Sequence, residues 1–302
     1  MPEITLHMLE WIAIGDAYGA CFEYADPTSD RPNDLSGYPR HPRHQSGGGR
    51  YTDDTQMSIA VAETLLGGDP TREAFADAFV RCFRRDPRQG YSRRMQRFIE
   101  SCVDGADLLA RIVPSSIKSG AAMRSAPVGL LPDLKEALRI AELQARITHD
   151  TEGGVTSAQA VALAAHALRY ELCGRRDLPS WVAGHVPGSW ATPWSGRVGS
   201  PGVDSARAAL WNVARHGSMA ALLHACVSLG GDVDTVAAMA LGIASCDSSV
   251  AQDIPPILLD GLEDGAYGRR YLRALGTRLD KVALDAGTPS REPARTDWQS
   301  NA

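Results

Sequence analysis

The chain is short of several features that would have named a function at once. Its 302 residues carry a formal net charge of −5, with Lys+Arg at 31 against Asp+Glu at 36. A basic surplus is therefore missing, which argues against nucleic acid or an acidic membrane surface as the main partner. No Cys-x-x-Cys pair occurs. The cysteines at 21, 82, 102, 173, 226 and 246 are scattered, mostly in apolar helix-like runs. That pattern predicts buried free thiols in a reducing cytoplasm rather than a zinc or disulfide framework. The start of the chain has Glu3 and Glu10 and no basic stretch, so it does not read as a secretory leader. No apolar run approaches the ~20 residues that span a bilayer. The run Gly47–Gly49 lacks the Lys-Ser/Thr of a phosphate loop. No Gly-x-Ser-x-Gly elbow or Cys-His signature announces a covalent nucleophile. Alternating strand patterns and fixed-period repeats are also missing.

What is present is helical periodicity. Met95, Phe98, Ile99 and Cys102 fall at i, i+3, i+4, i+7, as do Leu134, Ala137, Leu138 and Ala141, and Ala206, Ala209, Leu210 and Val213. Phe75, Phe79 and Phe83 keep a four-residue step. Each set lays an apolar stripe along one helix face. Residues 158–167 and 237–244 are rich in Ala, which lets helix backbones approach closely. The expected fold is all-α: a single compact multi-helix domain over 1–286 with a polar tail over 287–302. Residues 25–50 and 174–202 are rich in Gly and Pro and read as long loops, the second ordered by Trp181, Trp190 and Trp194.

Three acidic runs stand out: Gly15–Glu23, Tyr51–Gln56 and Gly230–Thr235. Thr52 and Thr235 have the character of helix-start residues. One acid near a helix start is an ordinary cap that complements the helix dipole. Here each of the last two runs offers a hydroxyl and two carboxylates, more than a cap uses. Packed together, such carboxylates repel unless a cation sits among them. An all-oxygen donor set suits Mg²⁺, Mn²⁺ or Ca²⁺ and disfavours zinc. Asp16 reads either as a residue that orients the ligands or as a helix residue satisfied locally. Tyr51, Trp190 and Trp194 offer rings that could stack on a base, though packing is the commoner role of each.

The runs GDAYGACFE, YTDDTQ and GGDVDT resemble signature segments of the ADP-ribosyl-glycohydrolase family, which includes the dinitrogenase reductase-activating glycohydrolases. Residues 119–129 resemble its Gly-x-x-Met-Arg-x-x-Pro-x-Gly loop, and Thr148-His149 its Thr-His segment before an Ala-rich helix. The resemblance implies an all-helical fold with a two-metal cleft holding Mg²⁺ or Mn²⁺. It implies that Thr52, Asp53 and Asp54 serve one ion, and Asp232, Asp234 and Thr235 the other. Glu23 would act at the metal edge as ligand, base or gate. Gly120, Met123, Arg124 and His149 would line the ADP-ribose site. The implied reaction is removal of ADP-ribose from a target, with an arginine linkage favoured, by metal-activated water attack at C1″. Asp53 and Asp54, with Glu23, are then the catalytic candidates.

The sequence departs from the family at Val233, between the two acids, and at residues 152–154, where Glu-Gly-Gly replaces the usual proline. Lys118, just before the Met-Arg loop, reads as a solvated side chain that could reach phosphate. Two other function classes stand beside this one. One is an ADP-ribose-binding or immunity-type protein that blocks an ADP-ribosylating toxin or transferase, with loop 25–50 as the contact. The other is a nucleotide phosphohydrolase. The His149-Asp150 pair would mark a class of helical metal phosphohydrolases, but His41 and His44 lie in a loop rather than on the helix that class needs.

Overall fold

The computed structural model describes residues 7–25, 31–40 and 48–285, the last four of these by backbone alone. The polar tail, the Gly47 position and both His41 and His44 lie outside the described residues, as does part of loop 25–50. Helices make up 61% of the chain, and there are no strands among the described residues. The all-α expectation holds.

The architecture starts from one close helix crossing. Helix α1 (Met8–Ala20) and helix α11 (Val233–Ala244) are buried along their whole lengths. They meet at Gly15 and Gly19. A Cβ on Gly15 would lie 2.6 Å from the backbone of Ala237, and one on Gly19 would lie 2.4 Å from the Cα of Asp234. Only glycine allows that approach. The crossing brings the C-terminal end of α1, with Asp16 and Glu23, beside the N-terminus of α11, with Asp232 to Thr235.

Helix α2 (Asp53–Leu66) completes the corner. Its start is tied to α1 through Asp16, described below. Helix α3 (Arg72–Arg85) lays the predicted stripe of Phe75, Phe79 and Phe83 into the core behind α2. Helices α4 (Arg93–Ser101) and α5 (Gly105–Arg111) pack outside α3. A tight 3-10 segment at Ala126–Leu130 follows the Met-Arg loop. It leads into α6 (Leu134–Arg146) and the long α7 (Glu152–Arg169), whose Ala-rich face is buried against α6, α9 and the 3-10 segment.

Residues 174–202 are less loop-like than their composition implies. They hold a 3-10 turn at Arg175–Asp177 and a short helix α8 (Leu178–Ala183). Trp190 closes the segment onto the core, fully buried, with its indole N–H donated to the carbonyls of Val186 and Pro187. Then come α9 (Gly202–Arg215) and α10 (Met219–Ser228). The short α12 (Pro256–Gly261) precedes α13 (Arg269–Asp285), which packs on α1 and α2.

Isolated bridges link extended segments rather than forming a sheet. Ser115 pairs with His149, Lys118 with Pro201, and Val198 with Gly231. These contacts join the stretches before the Met-Arg loop, after α6, before α9 and before α11 into one wall. Gly231 makes the last of them possible. Its φ is +94, and a Cβ there would lie 1.9 Å from the Val198 carbonyl.

Candidate active site

Asp16 organises the corner. It is fully buried on α1 and accepts from four donors: the backbone N–H and hydroxyl of Thr52, and the backbone N–H and hydroxyl of Thr55. The hydroxyl contacts are 2.7 and 2.6 Å. Burial raises its pKa, and these hydrogen bonds oppose the rise without cancelling it. A threonine hydroxyl has one proton, so giving it to Asp16 turns the oxygen lone pairs of Thr52 away from Asp16. Thr52 is the N-cap residue of α2, but its side chain makes no cap bond and donates its proton to Asp16 instead. The choice left open for Asp16 is thus decided: it holds two α2 threonines in place.

Thr235 is not the start of its helix. Helix α11 begins at Val233 with Asp232 in the N-cap position, because Gly230 and Gly231, both at positive φ, turn the chain three residues earlier than the threonine implied. Thr235 sits in the first turn, where its hydroxyl lies 3.5 Å from Asp232 Oδ1 and close enough to Asp54 to lower the pKa of that carboxyl. Val233 is buried in the hydrophobic core.

Oxygens of Glu23, Asp232 and Asp234 all lie within 4.8 Å of one another, the spacing of a cation site. Tyr24 donates its backbone N–H to the Gly231 carbonyl at 2.9 Å, which ties the Glu23 turn to the α11 loop. Asp53 and Asp54 approach from α2. Burial raises the pKa of both well above the usual range, and the nearby charges of Asp16 and the neighbouring carboxylates add to it. Burial does the same to Asp234, helped by Glu23 and Asp54. Burial raises Asp232 too, but hydrogen bonds from Ser119 and Ser205 and the charge of Lys118 oppose the rise.

Among the described residues, two buried carboxylate oxygens have no hydrogen-bond partner: Asp54 Oδ1 and Asp234 Oδ1. An orphaned carboxylate oxygen is costly, and two in one crowded acidic corner point to a missing positive partner. The donor set is all oxygen and fits a hard divalent cation. Of the residues the resemblance offers as ligands, Asp232 and Asp234 lie within ligand distance of each other and of Glu23, Asp53 and Asp54 lie near enough to feel that charge, and Asp16 holds Thr52 beside them.

The corner forms one end of a cleft of about 710 Å³. That is room for a nucleotide-sized ligand. Gly120, Met123, Arg124 and His149 line it, as predicted from sequence, together with Thr148, Ser115 and Lys118. Much of the far wall was not foreseen: Tyr91, Arg93, Arg94, Met95, Phe98 and Arg111 come from α4, the turn before it and the end of α5. The stripe of Met95 and Phe98 was legible as helical, but both sit half-buried facing this cleft as well as the core. Nothing in an apolar period distinguishes those two faces.

Some residues do not take the role the sequence offered them. Tyr51 is buried under the guanidinium of Arg88 and donates its hydroxyl to the Tyr267 carbonyl. Trp190 is core, and Trp194 packs under Arg207. None of the three lines the cleft, so none is placed to stack on a base. Arg124 is turned to the protein: it is almost fully buried, donating Nε–H to Gln144 and Nη2–H to the Gln144 carbonyl and the Thr148 hydroxyl. A free cation for an anionic ligand it is not. Asp150 is exposed and paired with Arg146, so His149-Asp150 is no metal pair.

A helical protein with a cleft ending in a carboxylate-rich corner is the class that fold and site define. The comparisons give the family. Residues 12–289 match the ADP-ribosylglycohydrolase family, and the chain belongs to it. It is similar to an uncharacterized protein of Archaeoglobus fulgidus, 30% identical over 171 residues, covering 54% of this chain and 55% of that one. It is also similar to ADP-ribosylhydrolase ARH3 of Bos taurus, 28% identical over 193 residues, covering 57% of this chain and 52% of the relative. The matches thus span about half the length of these relatives. A solved structure described as an ADP-ribosylglycohydrolase-related protein complex superposes with a TM-score of 0.70 at 24% identity, covering 92% of this chain and 97% of the other. That likeness is one of fold.

Proposed function

We propose that the protein is a divalent-metal-dependent hydrolase that removes ADP-ribose from an ADP-ribosylated protein or small molecule. The observation that carries this is the meeting, in one nucleotide-sized cleft, of an acidic corner containing two orphaned carboxylate oxygens with the family's Met-Arg and Thr-His segments. Thr52, Asp53 and Asp54 would hold one ion and Asp232, Asp234 and Thr235 the other, with Mg²⁺ or Mn²⁺ as the ions. Bound there, the ions would supply positive charge for ribose hydroxyls and lower the pKa of a water.

The chain's own residues do the rest. Asp16 orients Thr52 and holds α2 against α1. Glu23, half-buried at the cleft end of the corner, is placed to accept the proton of the attacking water. Gly120 and Met123 shape the wall beside the sugar, and His149 offers a ring nitrogen. Glycosidic attack at C1″ then releases ADP-ribose intact. We favour an arginine linkage, from the likeness of the motif set to the dinitrogenase reductase-activating glycohydrolases. The six cysteines are all free, which fits a reducing cytoplasm. No described helix is long and apolar enough to cross a membrane.

The test is product identity. Purified protein with Mg²⁺ or Mn²⁺ is incubated with ADP-ribosyl-arginine and ADP-ribosyl-serine substrates, and products are resolved by mass spectrometry. Intact ADP-ribose, released faster from the arginine substrate, is the expected result. Phosphate or AMP in its place means a phosphohydrolase. Glu23→Gln is expected to lower kcat by about 10²–10⁴ while leaving ADP-ribose affinity within a few-fold.

A further inference from the structure

A buried arginine with no carboxylate partner needs a reason. Among the described residues Arg124 makes no ion pair, although its side chain is among the largest that are fully buried. Burial pulls its pKa down to about 9. Its guanidinium lies over the Phe79 ring, 4.3 Å from the centroid. Gln144 holds it in that plane. The Gln144 amide nitrogen donates to the Ala121 carbonyl and the Ser125 hydroxyl, which leaves its oxygen to accept from Arg124. Such a heavily fixed cation is being aimed at something, and the remaining contact is Thr148.

Proton directions in the next two hydrogen bonds follow from the donor inventory and from the acceptors within reach. Arginine can only donate. In the 2.9 Å contact from Arg124 Nη2, the Thr148 hydroxyl oxygen is therefore the acceptor. That hydroxyl has one proton of its own, and it lies 2.7 Å from His149 Nδ1. The oxygen could accept a second bond from an Nδ1–H, but its own proton would then have no acceptor among the described residues, so Nδ1 is assigned as the acceptor and the ring hydrogen to Nε2. The Nε2 atom has no hydrogen-bond partner among the described residues, and His149 lines the cleft. Gly120 leaves this edge of the ring clear: a Cβ there would sit 2.9 Å from His149 Cε1 and 3.2 Å from Nε2.

We propose that Arg124 and Thr148 form a relay that fixes His149 as the Nε2–H tautomer, so that His149 meets the ligand only as a hydrogen-bond donor. Arg124 and Thr148 are positioning residues here, acting through the ring. A donor at that place takes an oxygen of the ligand. That it is a phosphate or ribose oxygen of ADP-ribose rests on the function proposed above. A second consequence is negative: His149 is not a general base in this cleft, because its one basic nitrogen is already occupied by Thr148. Burial and the nearby Arg124 charge also push its pKa down to about 3, so the ring stays neutral through the working range.

The experiment reads the tautomer directly. Two-bond ¹H–¹⁵N correlation spectra of protein labelled in its histidine rings are recorded for wild type, Thr148→Val and Thr148→Ser, with circular dichroism to check folding. Wild type is expected to show His149 protonated on Nε2 alone from about pH 5 to 8. Thr148→Val removes the hydroxyl at nearly constant shape. It should give mixed tautomers and weaken ADP-ribose binding about five- to tenfold, the worth of one hydrogen bond. Thr148→Ser should restore both. Wild-type protonation on Nδ1, or an unchanged tautomer in Thr148→Val, overturns the relay. The wild-type spectrum decides this even where the valine variant does not fold. Wild type that has the Nε2–H ring yet gives no heat with ADP-ribose contradicts the substrate reading and leaves the relay standing.

Discussion

Asp16 and Asp234 are buried carboxylates of the same corner with opposite surroundings. Asp16 receives four protein donors. Asp234 has an oxygen with none. The same chemical change should therefore act with opposite sign. Asp16→Asn puts an amide N–H where donors already point. We expect a loss of about 3 kcal/mol in urea unfolding, and a cation affinity lowered at least tenfold as Thr52 turns. Asp234→Asn instead removes an uncompensated charge. In EDTA it should raise stability by about 1–3 kcal/mol while abolishing cation binding by calorimetry.

The pH dependence follows from the raised pKa values of Asp53, Asp54 and Asp234. A folded-state pKa above the unfolded value of about 3.9 gives stability that is present below that value and lost as pH rises through the folded pKa. Metal-free protein should accordingly lose stability as pH climbs from about 4 toward neutrality, and Asp234→Asn should lose less. A bound cation reverses the sign, since it holds the carboxylates ionised. Cation affinity should fall as pH drops, with protons released on binding. Thermal melts in EDTA and in Mn²⁺ across pH check both slopes.

At the scale of elements, the α1–α11 crossing sets the corner. Gly19→Ala places a Cβ 2.4 Å from the Asp234 Cα, so the helices must part. A loss of about 1–3 kcal/mol is expected in chemical denaturation, with weaker cation binding because Glu23 and Asp234 separate. The sequence carries a trace of the crossing, since Gly15 and Gly19 lie four apart in an apolar run, a spacing that permits close helix packing. The acidic runs Tyr51–Gln56 and Gly230–Thr235 were legible as well, because two carboxylates and a hydroxyl exceed what a cap needs. Other parts were not legible for physical reasons. The start of α11 depends on the positive φ of Gly230 and Gly231, which a threonine-based rule ignores. Arg124 looked like an anion ligand because its partners Gln144 and Thr148 lie 20 and 24 residues away, on the end of another helix. The far wall of the cleft comes from α4 and α5, and nothing in their composition indicated chemistry.

For the whole molecule, the arrangement is a division of labour around one cleft. The α1–α2–α11 corner concentrates negative charge, and the bridged segments that carry Ser115, Lys118 and His149 form the wall beside it. The most direct test of the account is release of free ADP-ribose from an ADP-ribosyl-arginine protein, followed in Mg²⁺ or Mn²⁺ and again after EDTA, for wild type and Asp234→Asn. The account predicts release by wild type with the metal, none after EDTA, recovery on adding metal back, and none from the variant in either condition. Release that survives EDTA, or that Asp234→Asn leaves intact, would contradict it.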